Sequence, residues 1–324
     1  GPRGSLHGIP ILLKDNYDTH DMPTTASAIA MDGFTPPDDG TQVRKLRAAG
    51  AVFIGKTNLH EFARGIETIS SLGGQTRNPY DPRRNPGGSS GGTAAAVAAN
   101  FAAVGMGSDT CGSIRIPAAN NNLFGLRVTQ GLSSRDGIIP LALTQDVGGP
   151  LARSMVDLVT VLDVTVGSDP ADPQTIDADE HLPDSFAEYL DASALQGARL
   201  GLLTDYMDSS APYRAVTDVV QAAVDGDKDL IVIDLEVRRE AQRAERTAHV
   251  TGDVDRGEVE RQAAEEVECG VGQPRAVADL ERDRPALQPA RERRVGLDRG
   301  QRVQRHRHRP VAEVAVGLDL AGRA

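Results

Sequence analysis

The amino-acid composition changes abruptly near residue 237, which limits how much of this 324-residue chain can form a packed domain. From Arg238 to Ala324 the sequence contains no Phe, Tyr, Trp, Ile, Lys, Met, Asn or Ser. A segment without aromatic residues and with few large aliphatic ones buries too little apolar surface to offset the entropy lost on ordering. We therefore expect a partial globular domain over residues 1–236, and a disordered tail rich in Arg, Ala, Val and Glu over residues 237–324.

The residue types of this tail also indicate its origin. Nearly all of them are encoded by codons that begin with G or C, as expected of a GC-rich gene read out of frame. Its 18 arginines and 16 acidic residues are nearly balanced, so the tail is not a basic arm. We hypothesise a frameshifted, non-native tail, with natural low-complexity disorder as the alternative. The DNA sequence around codon 237 distinguishes them.

Charge and cysteine content narrow the classes of function. A net charge of −11 disfavours a nucleic acid or an anionic membrane as the main partner and favours a small molecule. Two cysteines, Cys111 and Cys269, are too few for a disulfide framework. No apolar run is long enough for a signal peptide or a membrane span, so we expect a cytoplasmic protein. The sequence does not indicate an oligomeric state.

Short apolar strands alternate with helical segments in the first 236 residues, which predicts an α/β fold. The predicted strands are residues 9–13, 51–54, 199–203 and 230–235. The predicted helices are residues 42–49 capped by Thr41 and stopped by Gly50, 59–63 capped by Thr57 or Asn58, 93–100, 155–166 capped by Ser154, and 215–224.

Residues 50–57, GAVFIGKT, match the phosphate-loop pattern of nucleotide-binding proteins. A phosphate loop needs its variable positions to form a turn that exposes backbone N–H groups. Here those positions are Ala-Val-Phe-Ile, which predict a strand instead, so we do not expect nucleotide binding.

Two glycine-rich segments carry serines. Residues 87–92, GGSSGG, have the composition of a flexible linker, but they run directly into a predicted helix and therefore predict an anchored turn at its N-terminus. In residues 109–115, DTCGSIR, Gly112 permits an irregular turn whose N–H groups point one way, as an oxyanion hole requires. Taken alone, this segment fits a structural turn with Ser113 as a helix cap equally well.

These two segments and residues 6–16, LHGIPILLKDN, resemble the amidase signature family. The resemblance runs from about residue 6 to about residue 235, and residues 107–118, GSDTCGSIRIPA, belong to it. It implies an α/β fold with a mixed sheet between helices, here incomplete. Cys111 stands where the family more often has Gly, and Val128 where Pro is usual.

The resemblance also assigns catalytic roles. By motif position Lys14 is the base, Ser89 is the serine after a cis peptide bond, and Ser113 is the nucleophile that forms an acyl-enzyme. A lysine acts as a base only when neutral, so Lys14 must be buried to lower its pKa.

The residues around this triad have expected roles of their own. The expected oxyanion donors are the backbone N–H groups of Thr110, Cys111, Gly112 and Ser113. We expect Ser90, Asp109 and Arg115 to support the site, the last two as an ion pair behind the turn. A thiol nucleophile at Cys111 is the less favoured alternative, because no Cys-His pairing is visible.

The expected activity is hydrolysis of a small carboxylic amide without a cofactor. Possible metal ligands at His60, Glu61, His306 and His308 form no complete set, and we expect no metal. One alternative is the A subunit of a glutamyl-tRNA(Gln)-type amidotransferase, which would need partner subunits and tRNA. Another is an inactive fragment, because the chain opens almost at once on an apolar strand and ends in the unusual tail.

Overall fold

The computed structural model describes residues 1, 4–202, 207, 210–226, 231–234 and 313–316. The chain divides into two compact units, Gly1–Ala192 with Arg309–Ala324, and Ser193–His308. Apart from Glu313–Val316, the segment predicted to be a frameshifted tail lies outside the described residues. The tail, its frameshift and the domain division at residue 237 stay predictions.

A six-stranded mixed sheet forms the centre of the first unit, with the strand order β10-β6-β7-β5-β1-β2. The strands of the described part are β1 (Pro10–Lys14), β2 (Val52–Thr57), β3 (Ile69–Ser70), β4 (Gly74–Gln75), β5 (Val104–Asp109), β6 (Phe124–Arg127), β7 (Val147–Ala152), β8 (Arg199–Leu202), β9 (Ile231–Asp234) and β10 (Glu313–Val316). β1 runs parallel to β2 and β5, β7 runs antiparallel to β5 and β6, and β10 pairs antiparallel with β6. The predicted α/β class with a mixed sheet is confirmed.

The parallel pairing of β1 with β5 brings two motif segments together. Ile11 lies opposite Val104 and Leu13 opposite Met106, so both strands end at the same edge of the sheet. Lys14 closes β1 and Asp109 closes β5. The carboxyl ends of strands in open α/β sheets are the usual place for a ligand site.

Helices cover the sheet through two separate clusters of buried side chains. The helices of the described part are α1 (Thr41–Ala48), α2 (Gly91–Ala98), α3 (Arg115–Asn120), α4 (Met155–Thr165) and α5 (Arg214–Gly226). Leu46 of α1 and Leu158 of α4 pack in one cluster with Ile11, whereas Val97 of α2 and Ala118 of α3 pack in the other. Each fully buried aliphatic side chain of this size contributes about 1.5–3 kcal/mol. The helices therefore hold the strand ends in place.

Helix caps were predicted correctly at one position and wrongly at another. Ser154 caps α4, because its hydroxyl accepts the N–H of Asp157. Thr41 was predicted as the N-cap of α1, but it is the first helical residue. The N-cap position is occupied by Gly40, the Thr41 oxygen accepts an N–H of the Arg44 side chain, and the one hydroxyl proton of Thr41 is directed to the carboxylates of Asp136 and Asp169, at 3.0 and 2.6 Å.

The predicted helix over residues 59–63 is also wrong. The chain stays extended to the end of β2 and forms only a short 3-10 turn, Glu61–Ala63. Phe62 and Ala63 have left-handed backbone angles, with φ of 51° and 59°, which no α-helix accommodates. Three of the four apolar positions of the phosphate-loop pattern, Val52, Phe53 and Ile54, lie in β2, so this segment forms a strand, as predicted.

The second unit contains the predicted strand, helix and strand. β8 pairs in parallel with β9, and α5 lies between them in sequence. Within the described part of the chain, no helix combines the length and the hydropathy needed to cross a bilayer.

Close packing of α2 against the chain after β2 gives a first testable prediction, Gly92→Ala. A Cβ atom at Gly92 would lie 2.2 Å from the Asn58 carbonyl oxygen, a backbone atom that cannot move away cheaply. Overpacking of this kind costs about 1–3 kcal/mol, so we expect the melting temperature to fall by several degrees. Gly226→Ala is the matched control, because nothing lies within 4 Å of its added methyl group. Equal melting temperatures for both variants would contradict the prediction.

Candidate active site

Lys14 is fully buried at the carboxyl end of β1 and has three close polar neighbours. Its Nζ lies 2.7 Å from Ser89 Oγ, 2.8 Å from Ser108 Oγ and 3.3 Å from the Ser108 carbonyl oxygen. A neutral amine has two N–H donors and one lone pair. The two Ser108 oxygens can accept the two N–H groups, which leaves the lone pair for the hydroxyl proton of Ser89. The surroundings of Lys14 therefore suit a neutral amine that accepts a proton.

Electrostatics favour the same protonation state. Burial lowers the pKa of Lys14 from 10.5 to about 7, although the negative charges of Asp109 and Asp146 act in the opposite direction. An amine with this pKa is substantially neutral at physiological pH, as a general base must be.

Ser89 and Ser90 lie in the turn before α2, and the peptide bond between Gly88 and Ser89 is cis. The Ser90 hydroxyl accepts the N–H of Ser108 at 3.3 Å and donates to its carbonyl oxygen at 3.1 Å. The Ser90 N–H donates to the carbonyl oxygen of Ser113 at 3.1 Å. Ser90 thus joins the GGSSGG turn to both β5 and the second motif.

Asp109 organises the turn that carries Ser113. Its buried carboxylate accepts the N–H groups of Gly112 at 2.8 Å and Ile114 at 2.9 Å. Arg115 and Arg127 form ion pairs with it at 3.3 and 3.2 Å, and the first of these is the predicted pair. Although burial alone would raise the pKa of Asp109, the hydrogen bond and charge of Arg115 hold that pKa below its usual value. The turn is therefore built around an ionised carboxylate.

The same contacts change the expected oxyanion donors. Gly112 was predicted as one of four, but its N–H donates to Asp109 and is already occupied. Gly112 instead permits the turn through its φ of 136°, which L side chains rarely adopt. The candidate donors are thereby reduced to the N–H groups of Thr110, Cys111 and Ser113.

Sequence reasoning assigned no role to two residues of the site. Ser108 contacts Lys14 as described above, and Asn16 donates from Nδ2 to Ser108 Oγ at 3.0 Å. Both lie inside the segments that resemble the family, Ser108 directly before Asp109 and Asn16 shortly after Lys14. Only the pairing of β1 with β5 shows that they meet.

His60 and Glu61, which were considered as metal ligands and not expected to bind a metal, have other partners in the described part of the chain. The backbone N–H of Ser71 donates to the carboxylate of Glu61, and His60 accepts the N–H of Glu67 through Nδ1. His306 and His308 lie outside the described residues.

A different group with metal-binding side chains lies elsewhere in the described part, formed by His20, Asp21 and Asp39. Arg47 forms ion pairs with both carboxylates, at 3.1 and 2.8 Å. Its guanidinium therefore supplies the positive charge that a metal ion would bring.

Comparison with known proteins is consistent with this geometry. The Amidase family model matches residues 1–309. The A subunit of the glutamyl-tRNA(Gln) amidotransferase of Carboxydothermus hydrogenoformans is 46% identical over 203 residues, or 63% of this chain and 41% of that protein. The corresponding protein of Thermus thermophilus, which has the same name, is 44% identical over 207 residues, or 64% and 43%. The chain spans less than half the length of these relatives.

The comparison with solved structures also finds an amidase and an amidotransferase A subunit. The peptide amidase of Stenotrophomonas maltophilia is 45% identical with a TM-score of 0.61, over 72% of this chain and 49% of that chain. The glutamyl-tRNA(Gln) amidotransferase A subunit of Thermotoga maritima is 30% identical with a TM-score of 0.69, over 83% and 60%. The extent of the family match and the likeness to these enzymes lead to one conclusion: the chain belongs to the Amidase family, whose members carry the amidase signature.

Proposed function

We propose that this chain contains the catalytic core of an amidase that hydrolyses a carboxylic amide to an acid and ammonia or an amine. The observation that carries the proposal is the buried Lys14, whose Nζ lies 2.7 Å from the Ser89 hydroxyl. Burial lowers its pKa to about 7, which allows it to act as a base. Ser113 lies in the turn that a Ser90 hydrogen bond ties to the Ser89 segment.

In the proposed acylation, neutral Lys14 takes the hydroxyl proton of Ser89, and Ser89 takes that of Ser113. The Ser113 Oγ attacks the amide carbonyl carbon and forms a tetrahedral intermediate. Its oxyanion is stabilised by backbone N–H groups of the 109–115 turn, with Thr110, Cys111 and Ser113 as the donors.

Collapse of the intermediate breaks the C–N bond. The proton held by Lys14 returns through Ser89 to the leaving nitrogen, which departs as ammonia or an amine. Water then attacks the Ser113 ester and gives its proton to the same relay, the acid leaves, and the Ser113 hydroxyl is restored. Every step uses side chains of this chain, backbone N–H groups and water.

Two substrate classes follow from the relatives. The likeness to a peptide amidase supports a small peptide amide as substrate. The curated relatives named above support a second candidate, the A subunit of a glutamyl-tRNA(Gln) amidotransferase. That function would require glutamine, partner subunits and tRNA.

Ammonia release by the full chain tests the proposal. The full-length protein is incubated with a panel of C-terminal peptide amides, and with glutamine in the presence or absence of amidotransferase partner subunits. Turnover of peptide amides by the chain alone supports the first candidate, and partner-dependent glutamine turnover supports the second. Equal rates for wild type and Ser113→Ala would exclude Ser113 as nucleophile, and no turnover of any amide would identify an inactive fragment.

The pH dependence of turnover provides a further prediction. Only the neutral form of Lys14 is active, so kcat/KM should rise tenfold per pH unit in acid. It should level off above the pKa of about 7. An exposed lysine would place this limb near pH 10. A profile that is flat from pH 5 to 9 would contradict the assignment of Lys14 as base.

A further inference from the structure

A second buried carboxylate, Asp146, contacts the turn that carries Ser113. Its Oδ1 accepts the hydroxyl of Thr110 at 2.5 Å. Its Oδ2 accepts the backbone N–H groups of Leu141 and Ala142 at 2.8 and 2.9 Å. One carboxylate therefore holds both Thr110, at the start of the turn, and the loop that precedes β7.

The sheet register explains why these groups meet. Asp109, the last residue of β5, lies opposite Val147, the first residue of β7. Thr110 and Asp146 are the next pair beyond the ladder, and they are 9% and 7% exposed. Charged hydrogen bonds between buried groups are stronger than neutral ones and hold their geometry well.

Arg127 makes a second connection between the same two segments. One guanidinium nitrogen donates to the Asp109 carbonyl oxygen at 2.7 Å, and the other donates to the Gln145 carbonyl oxygen at 2.8 Å. The turn and the loop are thus joined at two neighbouring points, through Arg127 at Asp109 and through Asp146 at Thr110. The second connection contacts a candidate oxyanion donor.

Asp146 is also one of two carboxylates whose charge acts on Lys14, the other being Asp109. Asp109 is ion-paired with Arg115 and Arg127, which offset its charge. The charge of Asp146 also acts on Arg135, which is itself ion-paired with Asp172 at 2.7 Å.

We propose that Asp146 is a positioning residue of the amidase reaction, holding the Thr110 N–H in place for the oxyanion and setting the charge around the base. The inference rests on the proposed function. It predicts two effects of Asp146 that a purely structural residue would not combine. Loss of its charge lowers kcat, because Thr110 loses a fixed partner, and makes Lys14 neutral at lower pH, because a nearby negative charge no longer stabilises the ammonium form.

The test compares pH profiles of kcat and kcat/KM for three variants of the full chain. Asp146→Asn removes the charge and keeps the shape, so we expect kcat to fall about tenfold and the acid limb to move down by about half a pH unit. Thr110→Val removes the same hydrogen bond but keeps the charge, so kcat should fall while the limb stays in place. Asp169→Asn is the control. This buried carboxylate also accepts hydroxyl groups of Thr41 and Ser134, but it is not one of the two carboxylates whose charge raises the pKa of Lys14.

Wild-type kcat or the wild-type acid limb in Asp146→Asn would overturn the proposal. If Asp146→Asn fails to fold, Thr110→Val provides the test, because a wild-type kcat in that variant would also contradict the proposal. Lysine-selective 15N NMR then separates this inference from the proposed function, with Lys14 assigned by the signal lost in Lys14→Met. If the protein turns over no amide but the titration midpoint of Lys14 is lower in Asp146→Asn, the charge effect of Asp146 is supported and the proposed amidase activity is rejected. An unchanged midpoint overturns the inference even where amide turnover is present.

Discussion

Replacement of Lys14 by Met should lower kcat/KM for amide hydrolysis by about 10²- to 10⁴-fold, the size of a lost general base. The side chain is fully buried and its Nζ contacts the Ser89 hydroxyl at 2.7 Å, so no solvent base can take its place. Methionine fills a similar volume without an amine. The initial rate of ammonia release at pH 8 is the measurement, with the fraction of folded protein determined by circular dichroism.

Two further variants make this experiment specific. Lys14→Arg keeps a cation and hydrogen-bond donors but cannot deprotonate, so it should be as inactive as Lys14→Met. Lys45→Met is the matched control, since Lys45 is a half-buried lysine of α1 whose Nζ donates to the Val166 carbonyl oxygen at 2.7 Å. It should retain wild-type turnover per folded molecule. Substantial activity in folded Lys14→Arg would show that the base lies elsewhere.

The largest effect on stability is expected from Asp109→Ala. This change leaves the charges of Arg115 and Arg127 without their carboxylate and the N–H groups of Gly112 and Ile114 without their acceptor. Breaking a buried ion pair from one side costs about 3–5 kcal/mol. We expect a large fall in the denaturant midpoint and loss of turnover in the same variant, because the turn no longer holds Ser113.

A partly exposed carboxylate whose two arginine partners are exposed is the control. Asp81 forms ion pairs with Arg83 and Arg84 on the surface, where solvent screens them, and Asp81→Ala should leave the denaturant midpoint unchanged.

The contribution of Asp109 to stability should depend on pH with a definite sign. Because its folded pKa is lowered, its contribution to stability is present above pH 4 and lost as the pH falls through the folded pKa. The difference in free energy of unfolding between wild type and Asp109→Asn should therefore become smaller in acid. A difference that grows in acid would contradict a stabilising, ionised Asp109.

The features of the fold that could be predicted are those whose partners are close in sequence. Ser154 caps α4 through Asp157, three residues away, and the pattern is visible in the sequence. Thr41 has the same capping chemistry, yet its hydroxyl contacts Asp136 and Asp169, about a hundred residues further on. Such a long-range contact overrides the local preference and leaves no local signal.

The residues of the candidate site also divide into those that the sequence could identify and those that it could not. The motifs identified Lys14, Ser89 and Ser113 as candidates because each lies in a distinctive segment of its own. The contacts of Ser108 and Asp146 depend on the register between β5 and its neighbours, which sequence patterns do not fix. The occupied N–H of Gly112 was missed for a related reason, since the sequence does not show which way the Asp109 carboxylate turns.

Covalent labelling of Ser113 tests the central claim most directly. The full chain is treated with a fluorophosphonate, which forms a stable adduct with an activated serine, and the site is identified by peptide mass spectrometry. We predict an adduct on Ser113 that is absent in Ser113→Ala and forms at least about a hundredfold more slowly in Lys14→Met. An adduct on another serine, or labelling of Ser113 at equal rates in wild type and Lys14→Met, would contradict the relay from Ser113 through Ser89 to Lys14.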